Sequence, residues 1–202
     1  MSYEEADLAL CIAHTAVDKY LVEGERWEPN LTNAPEFLKE VRGAFVTLYR
    51  IDMGIENLRG CIGFPLPIYP LGKALALAAI SAAVSDPRFP PVRVEELPLI
   101  EFSVDILSPL EKIDEHDPVK LAKIIIPGKH GLVVKYKGMS GLLLPKVATE
   151  YGWGPIEFLE HTCMKAGLPR NYYLKPETEI YLFTSESYTD KELIEYYYNK
   201  NK

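Results

Sequence analysis

The residues best placed to do chemistry lie in "LRGCIGF", residues 58–64, where Cys61 stands among Arg59, Gly60 and Gly63. Strand alternation predicts Arg59, Cys61 and Gly63 on one face, and Leu58, Gly60 and Ile62 on the other. Arg59 and Cys61 are then about 7 Å apart at the backbone. A guanidinium at that range favours thiolate over thiol. Gly63 leaves space beside the sulfur, so Cys61 is a candidate nucleophile. The packing alternative is equally simple: Cys61 is a small apolar residue on a crowded strand, and Gly60 and Gly63 admit a close neighbour.

A thiolate nucleophile usually works with a base. The histidines are His14, His116, His130 and His161. His14 and His161 fall in predicted helices, and His116 sits in the acidic loop "DEHDP". His130, in "IPGKHGL", precedes a predicted strand in a glycine-flanked loop and is the candidate base. Arg88 projects from "SDPRFPPV", which three prolines stiffen, and can present a group that binds carboxylate or phosphate. The alternative is an Arg88 paired with Glu95 or Glu96. No phosphate loop, GxGxxG, GxSxG or HExxH occurs, and no Cys or His pair has metal-ligand spacing. No metal and no cofactor is predicted.

These groups need elements to position them. A capping box of Ser2 and Glu5 opens a helix over residues 3–22, which contains Cys11 as a packed apolar residue. "APEFLKEV" is a short helix with Asn33 as cap and Pro35 in its first turn. Residues 43–51 and "LRGCIGF" make a hairpin around the turn "DMGIEN". "LGKALALAAISAAVSD" is a helix that Asp86-Pro87 stops, and its small residues imply close packing on a sheet. In "IEFSVDILSPL", Ile100, Phe102, Val104 and Ile106 alternate with Glu101, Ser103 and Asp105. The second half repeats the order. A hairpin turns at "KGMSG", the helix "GPIEFLEHTCMKAGLP" ends at Gly167, and "TEIYLFTSE" is a strand. A last helix runs over about 189–199.

Hairpin–helix–strand thus occurs at about 43–107 and again at about 131–184. The fold class is α+β: two subdomains, each a small antiparallel-containing sheet with helices packed on it, in a duplicated ββαβ order. Subdomain A spans about 43–110 and subdomain B about 125–187, with the segment 114–131 joining the two repeats and the terminal helices packing on either.

Composition narrows the function classes. At 202 residues, 48% apolar and 25% charged, the chain is an ordinary globular protein. The run 74–84 is too short to span a bilayer, and the acidic N-terminus does not read as a secretory signal, so a cytoplasmic protein is expected. A net charge of −7 disfavours nucleic acid. Cys11, Cys61 and Cys163 are dispersed, as reduced thiols are. Absent glutamine and abundant Glu, Lys and Tyr match proteins of hot-growing organisms.

With "LRGCIGF", "DPRFPPV", "ELPLIEFSVDILSP", "GKHGLVV", "GLLLPKVATEYGW" and "FLEHTCMKAGLP" in this order, the chain resembles the AMMECR family. The name stands for the Alport syndrome, mental retardation, midface hypoplasia and elliptocytosis chromosomal region proteins. The resemblance runs from about Gly43 to Ser187 and suits an archaeal-type single-domain member. It implies an α+β fold in two subdomains and makes residues 58–63 the hallmark motif, with Arg88 and His130 at family-typical positions. His161 does not match and is set aside as a base. The resemblance also implies an intracellular protein associated with Memo-type and radical-SAM-type proteins. It implies no reaction.

Two functions are open. A binding module would use a cleft of "LRGCIG" and "DPRFPP", with Arg59, Gly60, Gly63 and Arg88 taking an anionic small molecule or a protein partner. An enzyme would use Cys61 as nucleophile, Arg59 to activate it, Arg88 to orient substrate and His130 to move a proton. The partner is an unidentified small molecule or protein, with a homodimer as one option.

Overall fold

The computed structural model describes residues 1–200. In chain order the elements are α1 (Tyr3–Asp18), α2 (Glu36–Lys39), β1 (Ala44–Asp52), β2 (Ile55–Phe64), α3 (Leu71–Val84), β3 (Ile100–Leu107), β4 (Glu111–Ile113) and α4 (Pro118–Ile124). They continue with β5 (Gly131–Tyr136), β6 (Met139–Leu143), α5 (Pro145–Tyr151), α6 (Pro155–Lys165), β7 (Glu179–Phe183), β8 (Ser185–Thr189) and α7 (Asp190–Lys200). The chain is α+β, with two four-stranded antiparallel sheets and helices packed on them. One unit comprises the chain through Leu107 together with the segment from Glu186, and the other comprises Ser108–Ser185. No helix among the described residues is long and apolar enough to cross a membrane.

In the first unit the strand order is β2-β1-β3-β8. Ala44, Val46 and Leu48 of β1 stand opposite Ile106, Val104 and Phe102 of β3, and all six are buried in the core that α1 and α3 complete. The β1–β2 turn is Met53-Gly54, both at positive φ (49° and 81°), the two-residue geometry that matches strand twist. The small residues of α3 allow close approach to the sheet. A Cβ on Gly60 would lie 2.1 Å from the carbonyl oxygen of Ala82, so the absence of a side chain at Gly60 admits the end of α3.

The second sheet has the order β4-β7-β5-β6. Phe158, Leu159 and Cys163 of α6 share a core with Leu132 and Val134 of β5 and Ile180 of β7. Hairpin, helix and returning strand are therefore laid down alike in both units. The hairpin strands pair, and the strand after the helix joins the far side of the first hairpin strand. Gly141 of β6 even repeats the role of Gly60, because a Cβ there would lie 2.4 Å from the Ala166 nitrogen beyond α6.

Some elements differ from expectation. The expected first helix is present through Glu23, but its last turn, Lys19–Glu23, is π-helical and is closed by Gly24 at φ 71°. Pro35, not Asn33, takes the N-cap position of α2. The joining segment contains α4, capped by Asp117, whose carboxylate accepts from the nitrogens of Val119 and Lys120 at 2.9 and 3.0 Å. The strands β4 and β8 are short and polar, and sheet pairing rather than local pattern defines them. Both terminal helices belong to the first unit.

Gly60→Ala is expected to destabilise the protein by about 3 kcal/mol, since the clash is with backbone that cannot rotate away. A urea midpoint within experimental scatter of the parent would contradict the packing of α3 on β2.

Candidate functional site

The site begins with an irregularity in β2. Leu48 pairs with Gly60 while Tyr49 pairs with Leu58, so Arg59 is the extra residue of a β-bulge. This corrects the expected alternation. Cys61 stands opposite Thr47, Leu58 opposite Tyr49, and Arg59 drops out of the series.

The Arg59 guanidinium is turned to the loop after α3 and is almost fully engaged there. Its Nε and Nη2 donate to the two Glu96 oxygens at 3.0 and 3.1 Å, a two-point fork. Nη1 donates to the Pro90 carbonyl at 2.8 Å, and Nη2 also to that of Pro91 at 3.3 Å. Glu96 further accepts from the Arg93 nitrogen at 3.0 Å and from Arg50 Nη1 at 3.3 Å. The Arg59 hydrogen bonds hold the Glu96 carboxyl down to about 2, from an ordinary 4.5, against a burial cost that pulls the other way. Arg59 is 9% exposed. Its geometry fastens "DPRFPP" to "LRGCIG".

A second ion pair closes the same junction. The buried Asp86 carboxylate accepts from the Cys61 nitrogen at 2.9 Å and the Arg88 nitrogen at 3.1 Å. It also accepts from Arg88 Nε and Nη2 at 3.0 and 2.7 Å. Arg88 first, then these backbone donors, keep Asp86 far below the usual carboxylate range. Arg88 Nη2 reaches the Cys61 carbonyl at 3.4 Å. The two side chains thus satisfy the N–H and C=O of Cys61, the role a neighbouring strand would play at this sheet edge. The Arg88 side chain is 53% exposed, and its Nη1 has no hydrogen-bond partner among the described residues.

The Cys61 thiol is half-buried, and Thr47 Oγ1 donates to it at 3.2 Å. The space expected beside the sulfur is filled, because a Cβ on Gly63 would lie 2.4 Å from the Phe45 ring. Cys61, Thr47 and Ser103 lie abreast across β2, β1 and β3, and Gly63, Phe45 and Asp105 form the next row. Thr47, Ser103 and Asp105 are buried on this face, opposite the helical core. The guanidinium next to Cys61 is therefore that of Arg88, with Arg59 committed to Glu96.

His130 belongs to the second unit. Its Nδ1 accepts from the Ile126 nitrogen at 3.2 Å, and its own nitrogen donates to the Ile126 carbonyl at 2.9 Å. Burial first, then Lys129, lowers its pKa, which favours the neutral ring with its acceptor nitrogen already engaged. The other histidines each have a partner of their own. His14 Nε2 meets Asp190 at 3.0 Å, His116 Nδ1 lies 2.8 Å from the Tyr173 carbonyl, and His161 stacks on Trp153 at 3.8 Å. His116 is half-buried as well as bonded. Cys11 is exposed rather than packed. Asp86 and Thr47 are the site residues that sequence reasoning missed. The spacing Asp86-x-Arg88 around Pro87 was a usable signal, but nothing local marked Thr47. No cluster of three or more His, Cys, Asp or Glu suited to a metal occurs among the described residues.

The AMMECR1 family pattern matches residues 10–188. The chain belongs to the AMMECR1 family. Protein PF1979 of Pyrococcus furiosus is 47% identical over 189 residues, covering 93% of this chain and 89% of that one. Protein MK0488 of Methanopyrus kandleri is 42% identical over 193 residues, with 95% and 91% covered. The crystal structure of the uncharacterized protein PH0010 from Pyrococcus horikoshii superposes with a TM-score of 0.78 at 44% identity, over 90% of this chain and 89% of that one. These AMMECR1 relatives carry no assigned activity in their names.

Removing one partner of the Arg59–Glu96 pair should be costly. Glu96→Gln is expected to lose about 3 to 5 kcal/mol at neutral pH. Because the folded pKa of Glu96 is depressed, its contribution is complete above about pH 4.5 and is lost as pH falls towards about 2. Urea titrations across that window should show a steeper loss in the parent than in the variant, and parallel curves would refute the assignment.

Proposed function

We propose that this AMMECR1-family chain is a binding module that takes an anionic group, carboxylate or phosphate, at Arg88 beside Cys61. The observation that carries this is the Arg88 guanidinium: Asp86 holds it in a fixed orientation, half of it is exposed, and Nη1 lacks a protein partner among the described residues. A guanidinium pinned in this way binds an anion with little loss of rotamer freedom. Asp86 offsets part of its charge, so the affinity relies on the open edge of the fork and on neighbouring contacts. Arg59 serves this reading indirectly, by fixing the loop that carries Arg88.

The test is calorimetric titration with inorganic phosphate and with succinate. Saturable binding should weaken about tenfold or more in Arg88→Ala and several-fold in Arg88→Lys, which keeps the charge and loses the fork. Cys61→Ala should stay close to the parent. Equal binding by the parent and Arg88→Ala would overturn the proposal.

An enzyme reading is favoured by one specific observation, the Thr47 hydroxyl that donates to Cys61 Sγ at 3.2 Å and so fixes the orientation of a half-buried sulfur. In that reading Cys61 is the nucleophile. Iodoacetamide should label Cys61 and the exposed Cys11, and spare Cys163, which is buried with its thiol pushed up to about 11 by desolvation. In a Cys11→Ala variant, a Cys61 alkylation midpoint well below about 8.5 supports the nucleophile, and one at or above that value leaves the binding reading alone.

A further inference from the structure

A groove of about 520 Å³ runs along α1 in the first unit, separate from the residues around Cys61 and Arg88. One wall is the α1 stripe Leu8, Cys11, Ile12 and Thr15, spaced so that all four fall on one helical face. The other wall is the irregular segment 25–35, which contributes Trp27 and Leu31.

Three contacts hold this segment in place. Trp27 packs against the core. Glu28 pairs with Lys73 at 2.9 Å. Leu31 lies close to Gly72 at the start of α3, where a Cβ would meet its side chain at 2.9 Å. These contacts make the segment a fixed wall of the groove although it has no regular secondary structure. It arches beside α1 without sealing it, and Cys11 remains exposed.

The charge pattern identifies the occupant. A quarter of the chain is charged (25%), yet no residue lining this groove is. Two other grooves of the same unit carry Glu192, Glu195 and Lys200 in one case, and Asp18, Lys19 and Glu23 in the other. A charged ligand entering the α1 groove would lose hydration and find no counter-charge. The volume lies within the roughly 300–1,000 Å³ typical of small-molecule sites. The polar groups are few: the Thr15 hydroxyl, which donates to the Cys11 carbonyl at 2.8 Å, and the amides of Asn30 and Asn33.

We propose that the α1 groove is a second binding site, for a small uncharged molecule with an apolar body and at most one or two hydrogen-bonding groups. Leu8, Ile12, Trp27 and Leu31 would contact the body, and Asn30 or Asn33 at the rim would orient the polar end. The site is independent of the anion site at Arg88.

The probe is N-phenyl-1-naphthylamine, an uncharged dye whose fluorescence rises in apolar surroundings. Saturable binding with one dye per chain is expected. Cys11→Trp, which fills the groove from its exposed side, should raise the dissociation constant about tenfold or more, a shift of about 1.4 kcal/mol. Prior reaction of the parent with N-ethylmaleimide should do the same, and this needs no folded variant. Arg88→Ala, remote from the groove, should bind within about twofold of the parent, and phosphate should not displace the dye. Failure of phosphate binding alone would therefore leave this inference intact. It is overturned by absent or unsaturable dye binding, or by equal binding to Cys11→Trp and maleimide-treated protein. It is equally overturned by sedimentation that shows a dimer which Cys11→Trp dissociates, because the occupant would then be a second copy.

Discussion

The buried fork between Arg59 and Glu96 is the constraint on which the rest of the site depends. A guanidinium this enclosed must have its charge and its donors satisfied, or it would cost several kcal/mol. Glu96 supplies the charge and two acceptors, and the carbonyls of Pro90 and Pro91 take further donors. Prolines contribute no N–H of their own, so these carbonyls are free to face inward while the loop stays stiff. One side chain from the middle of β2 therefore sets the path of residues 86–96.

That path explains how the edge of β2 is handled. An unpaired N–H and C=O at Cys61 would invite another strand. Asp86 and Arg88 cover them instead, and in doing so they clamp each other. The bulge at Arg59 makes both pairs geometrically compatible. It turns Arg59 towards the loop while Gly60 faces the end of α3 and Cys61 faces Thr47. Edge protection and the presentation of an exposed guanidinium are thus one arrangement.

The twofold use of the same supersecondary unit has a physical basis too. In each sheet a hairpin alone would leave one face bare, and the longer helix that follows, α3 in one and α6 after the short α5 in the other, packs on it before the chain returns beside the first hairpin strand. Each helix comes so close to the edge strand that a glycine is required there, Gly60 in one sheet and Gly141 in the other. The fourth strand is recruited differently, β8 from the C-terminal segment in one case and β4 from the preceding segment in the other. This places both terminal helices in the first unit.

Local pattern in the sequence was enough for α1, α3, α6, both hairpins and the alternation of β3, because periodicity, capping residues and turn glycines act over a few neighbours. It was also enough to single out Cys61, Arg59 and Arg88, since unusual residue types beside glycine and proline are visible without coordinates. What local pattern does not contain is which partner each charge finds. Arg59 pairs with Glu96, 37 residues away, and Arg88 pairs with Asp86 instead of with Glu95 or Glu96. A single bulge, set by pairing between β1 and β2, overrides the strict alternation that put Arg59 beside Cys61. Thr47 enters the site only because sheet register brings it abreast of Cys61, and Phe45 fills the space at Gly63 for the same reason. Residue types determined which groups could act. Register and packing, which join residues remote in the chain, decided which of them meet.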